Sequence, residues 1–196
     1  MTDVAIYRLS LPESPKAAVF SVPDSILLPK DRLEAVREGQ GIAFATVFSQ
    51  FFGHQQIQPL LRQGIVSLGL REKIRIKTGA ATEGFVDAFL VEATSLPGHS
   101  GSPVFVDDPR NPGHIGLLGV LTGHFPLPEP IRFKGGTGGK LSRRMKRSQR
   151  AYSRIEPFVR LNSGIATVVP ANALTELLHS THIIEDRRTR GTRYSI

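Results

Sequence analysis

Short extended segments, each ended by glycine, proline or a polar turn, set the strongest limit on what this chain can fold into. Nineteen glycines and 14 prolines among 196 residues interrupt the apolar stretches at strand length, and such strands fit an antiparallel barrel or sandwich better than a βαβ repeat. Strands are predicted over 4–9, 41–48, 64–70, 73–77, 85–92, 103–106, 115–122 and 164–169. Pro12, Pro15, Pro23 and Pro29 make residues 10–30 a linker, relieved only by a brief apolar run at 17–22. Asp31 is placed to cap a short helix reaching Arg37. Pro170 stops the last strand, residues 171–178 have the composition of a closing helix, and the tail from Glu185 is polar and expected to fray. No repeat of fixed period runs through the chain.

A chain of this length, 40% hydrophobic and 21% charged, buries a core large enough for one packed domain. It contains no cysteine, which removes disulfides, thiolate metal sites and a cysteine nucleophile together. No metal or cofactor motif is present, and none of these groups is expected. No apolar run reaches the roughly 18–20 residues of a membrane span, and Met1-Thr2-Asp3 is not the opening of a leader peptide. The expected location is therefore cytoplasmic, unless the natural chain starts upstream.

Chemistry concentrates in Leu96-Pro97-Gly98-His99-Ser100-Gly101-Ser102-Pro103-Val104-Phe105. A serine between glycines suits a tight turn in which Gly98 lets the backbone aim the N–H groups of Gly98 and Ser100 at one point. Two such donors stabilise a developing oxyanion by a few kcal/mol each in hydrolases. Gly101 leaves space above the hydroxyl, and Pro103 fixes the exit into a strand. Taken alone, the four residues from Gly98 to Gly101 favour an ordinary loop.

The longer string resembles the nucleophile motif of the trypsin-like serine peptidases, G-[DN]-S-G-[GS]-P before an apolar strand. Gly116-Leu117-Leu118-Gly119-Val120-Leu121-Thr122-Gly123 resembles the family strand that pairs with substrate backbone, and Ser163-Gly164-Ile165-Ala166-Thr167-Val168-Val169-Pro170 resembles its closing strand before a helix. Asp3-Val4-Ala5-Ile6-Tyr7-Arg8-Leu9 is similar to the strand Asp-[ILV]-Ala-[ILV]-x-x-Leu that carries the orienting aspartate. The resemblance covers 3–9 and roughly 41–180. It implies a serine endopeptidase acting on a polypeptide substrate, with Ser100 as nucleophile, Asp3 as orienting acid, and Gly98 and Ser100 as the oxyanion hole. It also implies Thr94, six residues before the serine, as a neutral floor of the side-chain pocket, which argues against a Lys or Arg preference. Thr122 and Gly123 are implied as backbone partners of an extended substrate.

The same resemblance implies an all-β fold of two barrels, of which this chain holds the second antiparallel β-barrel with a C-terminal helix while the first is largely absent. Residues 1–30 are then a remnant of the first barrel (strand 3–9) and a linker. Residues 31–183 are the C-terminal barrel with a basic insertion at 132–154 and a closing helix at 171–180, and 184–196 is a polar tail. The catalytic histidine belongs upstream of Asp3, where only Met1 and Thr2 stand. His99 adjoins Ser100 and is expected to point away from its hydroxyl; His124 follows the substrate-pairing strand, and His54, His114, His179 and His182 read as solvated. Without a base, a serine hydroxyl is a weak nucleophile, so the chain reads either as a peptidase fragment or as a non-catalytic peptide-binding or anion-binding module of the same fold.

The formal charge of +8 comes from one region: nine of the 25 Lys and Arg residues, and no acid, fall between Arg132 and Arg154. Arg143, Arg144, Lys146, Arg147 and Arg150 form a candidate polyanion contact by counterion release, following the hinge Gly135-Gly136-Thr137-Gly138-Gly139. In the segment from Leu141 to Arg154 Tyr152 is the only aromatic, which favours a solvated loop. The solvated reading predicts no retention of duplex nucleic acid in a gel-shift assay even at low salt. Binding that falls steeply between low and moderate salt would instead assign the segment a polyanion.

Overall fold

A computed structural model describes residues 4–6, 23–47, 58–78, 82–96, 98–130 and 158–191. Asp3, His54 and the whole basic insertion, including Arg143, Arg144, Lys146, Arg147 and Arg150, lie outside the described residues. Of the strand expected over 3–9, only residues 4–6 are described, and these have no regular secondary structure.

The described chain is mostly β. Strands β1 (Gly41–Thr46), β2 (Leu60–Leu68), β5 (Phe89–Glu92), β6 (Pro103–Asp107), β7 (Ile115–Pro130) and β8 (Phe158–Pro170) close into an antiparallel barrel of order β1-β2-β5-β8-β7-β6. Strands β3 (Ile74–Thr78) and β4 (Thr82–Val86) form a separate two-stranded hairpin. Alternation does the work expected of it: Ile42, Phe44 and Thr46 of β1, Phe89 and Val91 of β5, and Val104 and Val106 of β6 are all buried. Each large apolar side chain so buried contributes roughly 1.5–3 kcal/mol relative to exposure. At Gly119 the strands approach so closely that a Cβ would collide with the carbonyl oxygen of Val169, which explains a glycine in mid-strand.

Several elements depart from the sequence prediction for identifiable reasons. The single strand expected over 85–92 is two, because the chain changes partners at Asp87 and Ala88: β4 pairs with β3, whereas β5 pairs with β2 and β8. The strands expected at 115–122 and 164–169 extend outward as a ribbon in which β7 and β8 pair as far as Pro130 and Phe158. Pro126, Pro128 and Pro130 do not break this ribbon. They recur at every second residue, so their nitrogens fall on one backbone edge, and beyond Val120 that edge has no β6 partner. The tail does not fray at Glu185, since a helix α3 (Thr181–Gly191) continues there, with Arg187 and Arg188 suited to the negative end of its dipole.

The segment read as a linker contributes to the core. Asp24–Ile26 forms a 3₁₀ turn, Leu27 bridges in parallel to Leu117, and the Leu28 N–H donates to the Leu117 carbonyl at 3.3 Å. The Leu28 side chain fills the space left by Gly116. With Leu33 and Val36 it plugs the barrel end where β1 and β7 begin. The helix expected from Asp31 to Arg37 is only α1 (Lys30–Leu33), with Pro29 at its N-cap. Asp31 does not cap it but accepts from Arg110 Nη1 at 2.6 Å. Beyond α1 the chain is drawn onto β2, where Gly39 N–H donates to the Val66 carbonyl and Val66 N–H to the Gln40 carbonyl. Arg32 pairs with buried Asp108 on the opposite loop. Burial pushes the Asp108 carboxyl up, but the hydrogen bond from Arg110 N–H and the Arg32 guanidinium outweigh it and hold the group below the usual carboxylate range. The closing helix α2 (Ala171–Leu178) follows β8 directly from Pro170.

Leu28→Ala removes a plug rather than a linker side chain. It is expected to cost about 2–5 kcal/mol, the range for truncating a buried leucine, read as a lowered denaturant midpoint with unchanged slope.

Candidate functional site

The chain between β5 and β6 must cross the open end of the barrel, because β8 and β7 stand between those two strands in the sheet. Its path is pinned along the way. Ala93 N–H donates to the Gly164 carbonyl at 2.8 Å, and Asn162 Nδ2 of β8 donates to the Ser95 carbonyl. Gly101 N–H donates to the Leu121 carbonyl at 2.8 Å, and Leu121 N–H returns a bond to the Ser102 carbonyl at 2.9 Å. The turn closes on itself through His99 N–H to the Leu96 carbonyl and Ser102 N–H to the His99 carbonyl, both at 3.1 Å.

At the centre of this crossing the chain alternates between inside and outside. His99 is fully buried, its ring 6.2 Å from that of Phe44, while Ser100 is exposed. Glycine flanks the pair with positive φ on both sides, +97° at Gly98 and +91° at Gly101, a region costly for other residues. The Leu96 N–H donates to His99 Nδ1 at 3.1 Å, so the ring proton sits on Nε2. Burial lowers the His99 pKa, and the positive charge of Arg62 lowers it further. A neutral ring is the consequence, and it points into the core, away from the serine hydroxyl, as the sequence suggested.

Ser100 Oγ donates to the Thr122 carbonyl at 3.0 Å. A carbonyl accepts a hydrogen bond but does not remove the proton, so this contact orients the hydroxyl without activating it. The N–H groups of Gly98 and Ser100 donate no hydrogen bond among the described residues. Both residues line a cleft of about 310 Å³ whose other wall is Ala45, Thr46, Val47 and Pro59. The sequence did not single out that wall. It exists because β1 pairs with β6 only through Ile42, Ala43 and Phe44, so its later residues run past the turn. No local pattern marks Ala45 to Val47 for this role.

Of the residues assigned from sequence, the structure brings Gly98, Ser100 and Thr122 together. Gly123 follows on β7 with open space where a Cβ would stand, and from this residue on β7 pairs with β8 alone among the described residues. Thr94 is exposed, does not line the cleft, and gives its carbonyl to Arg62 Nη1 at 3.1 Å. Asp3 lies outside the described residues. No described group of three or more His, Asp or Glu residues has metal-binding geometry, and no described helix is long and apolar enough to cross a membrane.

The buried imidazole makes stability depend on pH. Its folded pKa lies below the ordinary 6.5, so the unfolded chain takes up the proton first and stability is lost as pH falls from 6.5 through the folded value. The denaturant midpoint is expected to drop between about pH 8 and about pH 5, the span in which histidine titrates. His99→Asn should flatten that slope while lowering stability at both ends.

No family model matches the chain, and no curated protein is significantly similar to it in sequence.

Proposed function

We propose that this barrel is the serine-bearing part of a trypsin-like serine endopeptidase, hydrolysing peptide bonds through an acyl-enzyme on Ser100. One observation carries the reading: an exposed serine stands between two positive-φ glycines in a cleft, on a turn anchored from below by a buried side chain. Barrel order and the ordered motifs at 96–105, 116–123 and 163–170 support it.

In this reading the Ser100 oxygen adds to the peptide carbonyl carbon while its proton passes to a base. The Gly98 and Ser100 N–H groups hold the oxyanion, the C–N bond breaks, and the amine leaves with the proton. Water then releases the acyl group by the same steps. Asp3 takes the role of orienting the base. Among the described residues the cleft lining of Ala45, Thr46, Val47, Pro59, Gly98, Ser100, Gly101, Ser102 and Pro103 contains no titratable side chain, so in this reading the base is none of these. Gly123 and its neighbours offer backbone to an extended substrate, and neutral Thr94 provides no countercharge for Lys or Arg.

A second reading, a peptide-binding barrel without catalysis, draws on the Ser100 hydroxyl resting on the Thr122 carbonyl. Chemical rescue separates the two. In a comparable hydrolase, loss of the histidine costs about 10⁶ in turnover, so labelling of this chain by a fluorophosphonate should be slow alone and rise severalfold with added imidazole. The adduct should map to Ser100 and vanish in Ser100→Ala. No adduct at Ser100 at any imidazole concentration rules out the peptidase and leaves the binding barrel.

A further inference from the structure

Ser100 stands where β7 loses its β6 partner. Up to Val120 the strand pairs with β6. Leu121 then turns both backbone groups to the same side, accepting from Gly101 N–H and donating to the Ser102 carbonyl, and the Thr122 carbonyl takes the Ser100 hydroxyl. From Gly123 to Pro130 that side of β7 has no strand partner among the described residues, while its other side continues along β8. Two further stretches of barrel strand are unpaired on one side among the described residues, 60–64 of β2 and 158–164 of β8. Both open toward β5, so neither runs on from Ser100.

Alternation sets what the β7 edge offers. The N–H and C=O of one residue point to one side of a strand and those of the next residue to the other. Pro126, Pro128 and Pro130 share a parity and have no N–H, and with their nitrogens toward β8 they would delete three ladder bonds. Their nitrogens and carbonyls therefore face the open side. His124 has the same parity, and the irregularity beside it lies in β8, which advances four residues from Ala166 to Asn162 while β7 advances two. Going outward from Ser100, the open edge thus presents the Thr122 carbonyl, then both the N–H and the carbonyl of His124, and after that carbonyls alone.

A peptide extended antiparallel along this edge, with its reacting carbonyl at Ser100, faces β7 through its first, third and fifth residues counted back from that carbonyl. The N–H of the first reaches the Thr122 carbonyl. The third exchanges two bonds with His124. The fifth meets Pro126, where its carbonyl finds no donor, and a backbone carbonyl taken from water without a donor gains nothing. We propose, resting on the peptidase reading, that the prolines of β7 end substrate pairing at the third residue on the acyl side. His124 is then the outermost residue that holds substrate backbone through both groups, and the substrate need not stay extended beyond it.

The experiment measures how fast blocked oligoalanine phosphonates of one, three and five residues label Ser100 of the full chain in the presence of imidazole. Labelling should quicken about tenfold from one residue to three, as two modest hydrogen bonds allow, and stay level from three to five. An ester in place of the third residue's N–H should lose severalfold. Pro126→Ala restores an N–H to the edge, and in that variant the five-residue probe should outpace the three-residue probe severalfold. Equal rates for one and three residues, a severalfold gain from three to five in wild type, or no such gain in Pro126→Ala overturns the proposal. If Pro126→Ala fails to fold, the wild-type series and the ester decide. If no probe labels Ser100, the peptidase reading fails separately, and fluorescence anisotropy of labelled oligoalanine amides of the same lengths decides the edge: affinity rising from one residue to three and level to five sustains it, and no binding or a further rise at five overturns it.

Discussion

An imidazole taken out of water must be neutral and hydrogen-bonded to be tolerated, and His99 meets this condition at the point where the chain crosses the barrel mouth. Its Nδ1 receives the Leu96 N–H, its ring lies near Phe44, and burial with the charge of Arg62 keeps the ring unprotonated. The two glycines with positive φ allow the backbone to send His99 inward and Ser100 outward over a single step. The exposed hydroxyl and its contact to Thr122 follow from that one buried side chain. A turn anchored only at its ends would present the serine in many orientations; this one is held from beneath.

The barrel itself is built from ordinary alternation, and its two ends are closed differently. Where β1 and β7 begin, apolar side chains from the preceding segment, Leu28, Leu33 and Val36, fill the opening, and the Arg32 and Asp108 pair ties that segment to the β6–β7 loop. At the other end the covering chain is the turn that carries Ser100. One end is sealed by hydrophobic burial, whereas the other is sealed by hydrogen bonds that leave polar groups at the surface. That asymmetry places the exposed Ser100 hydroxyl at the end closed by hydrogen bonds.

The management of free edges follows the same division. Near its centre the closed barrel pairs its strands on both sides, the β7–β8 ribbon carries its prolines on one open side, and β3 and β4 pair only with each other among the described residues. Proline at every second residue is informative here because a strand partnered on one side tolerates a missing N–H on the other. Read without partners, the same residues look like the end of a strand.

Short apolar segments, the glycine and proline punctuation and Pro170 before an Ala- and Leu-rich run were enough to indicate an antiparallel barrel or sandwich with a closing helix, because segment length and turn chemistry are local properties. The Gly-His-Ser-Gly turn was legible for the same reason. The chain does not state locally which strands become neighbours. So the split at Asp87 and Ala88, the docking of Leu28 and the length of the β7–β8 ribbon were settled only by tertiary pairing. The cleft wall at Ala45, Thr46 and Val47 belongs to that class: those residues border Ser100 because β1 and β6 close the barrel, a contact between segments far apart in sequence.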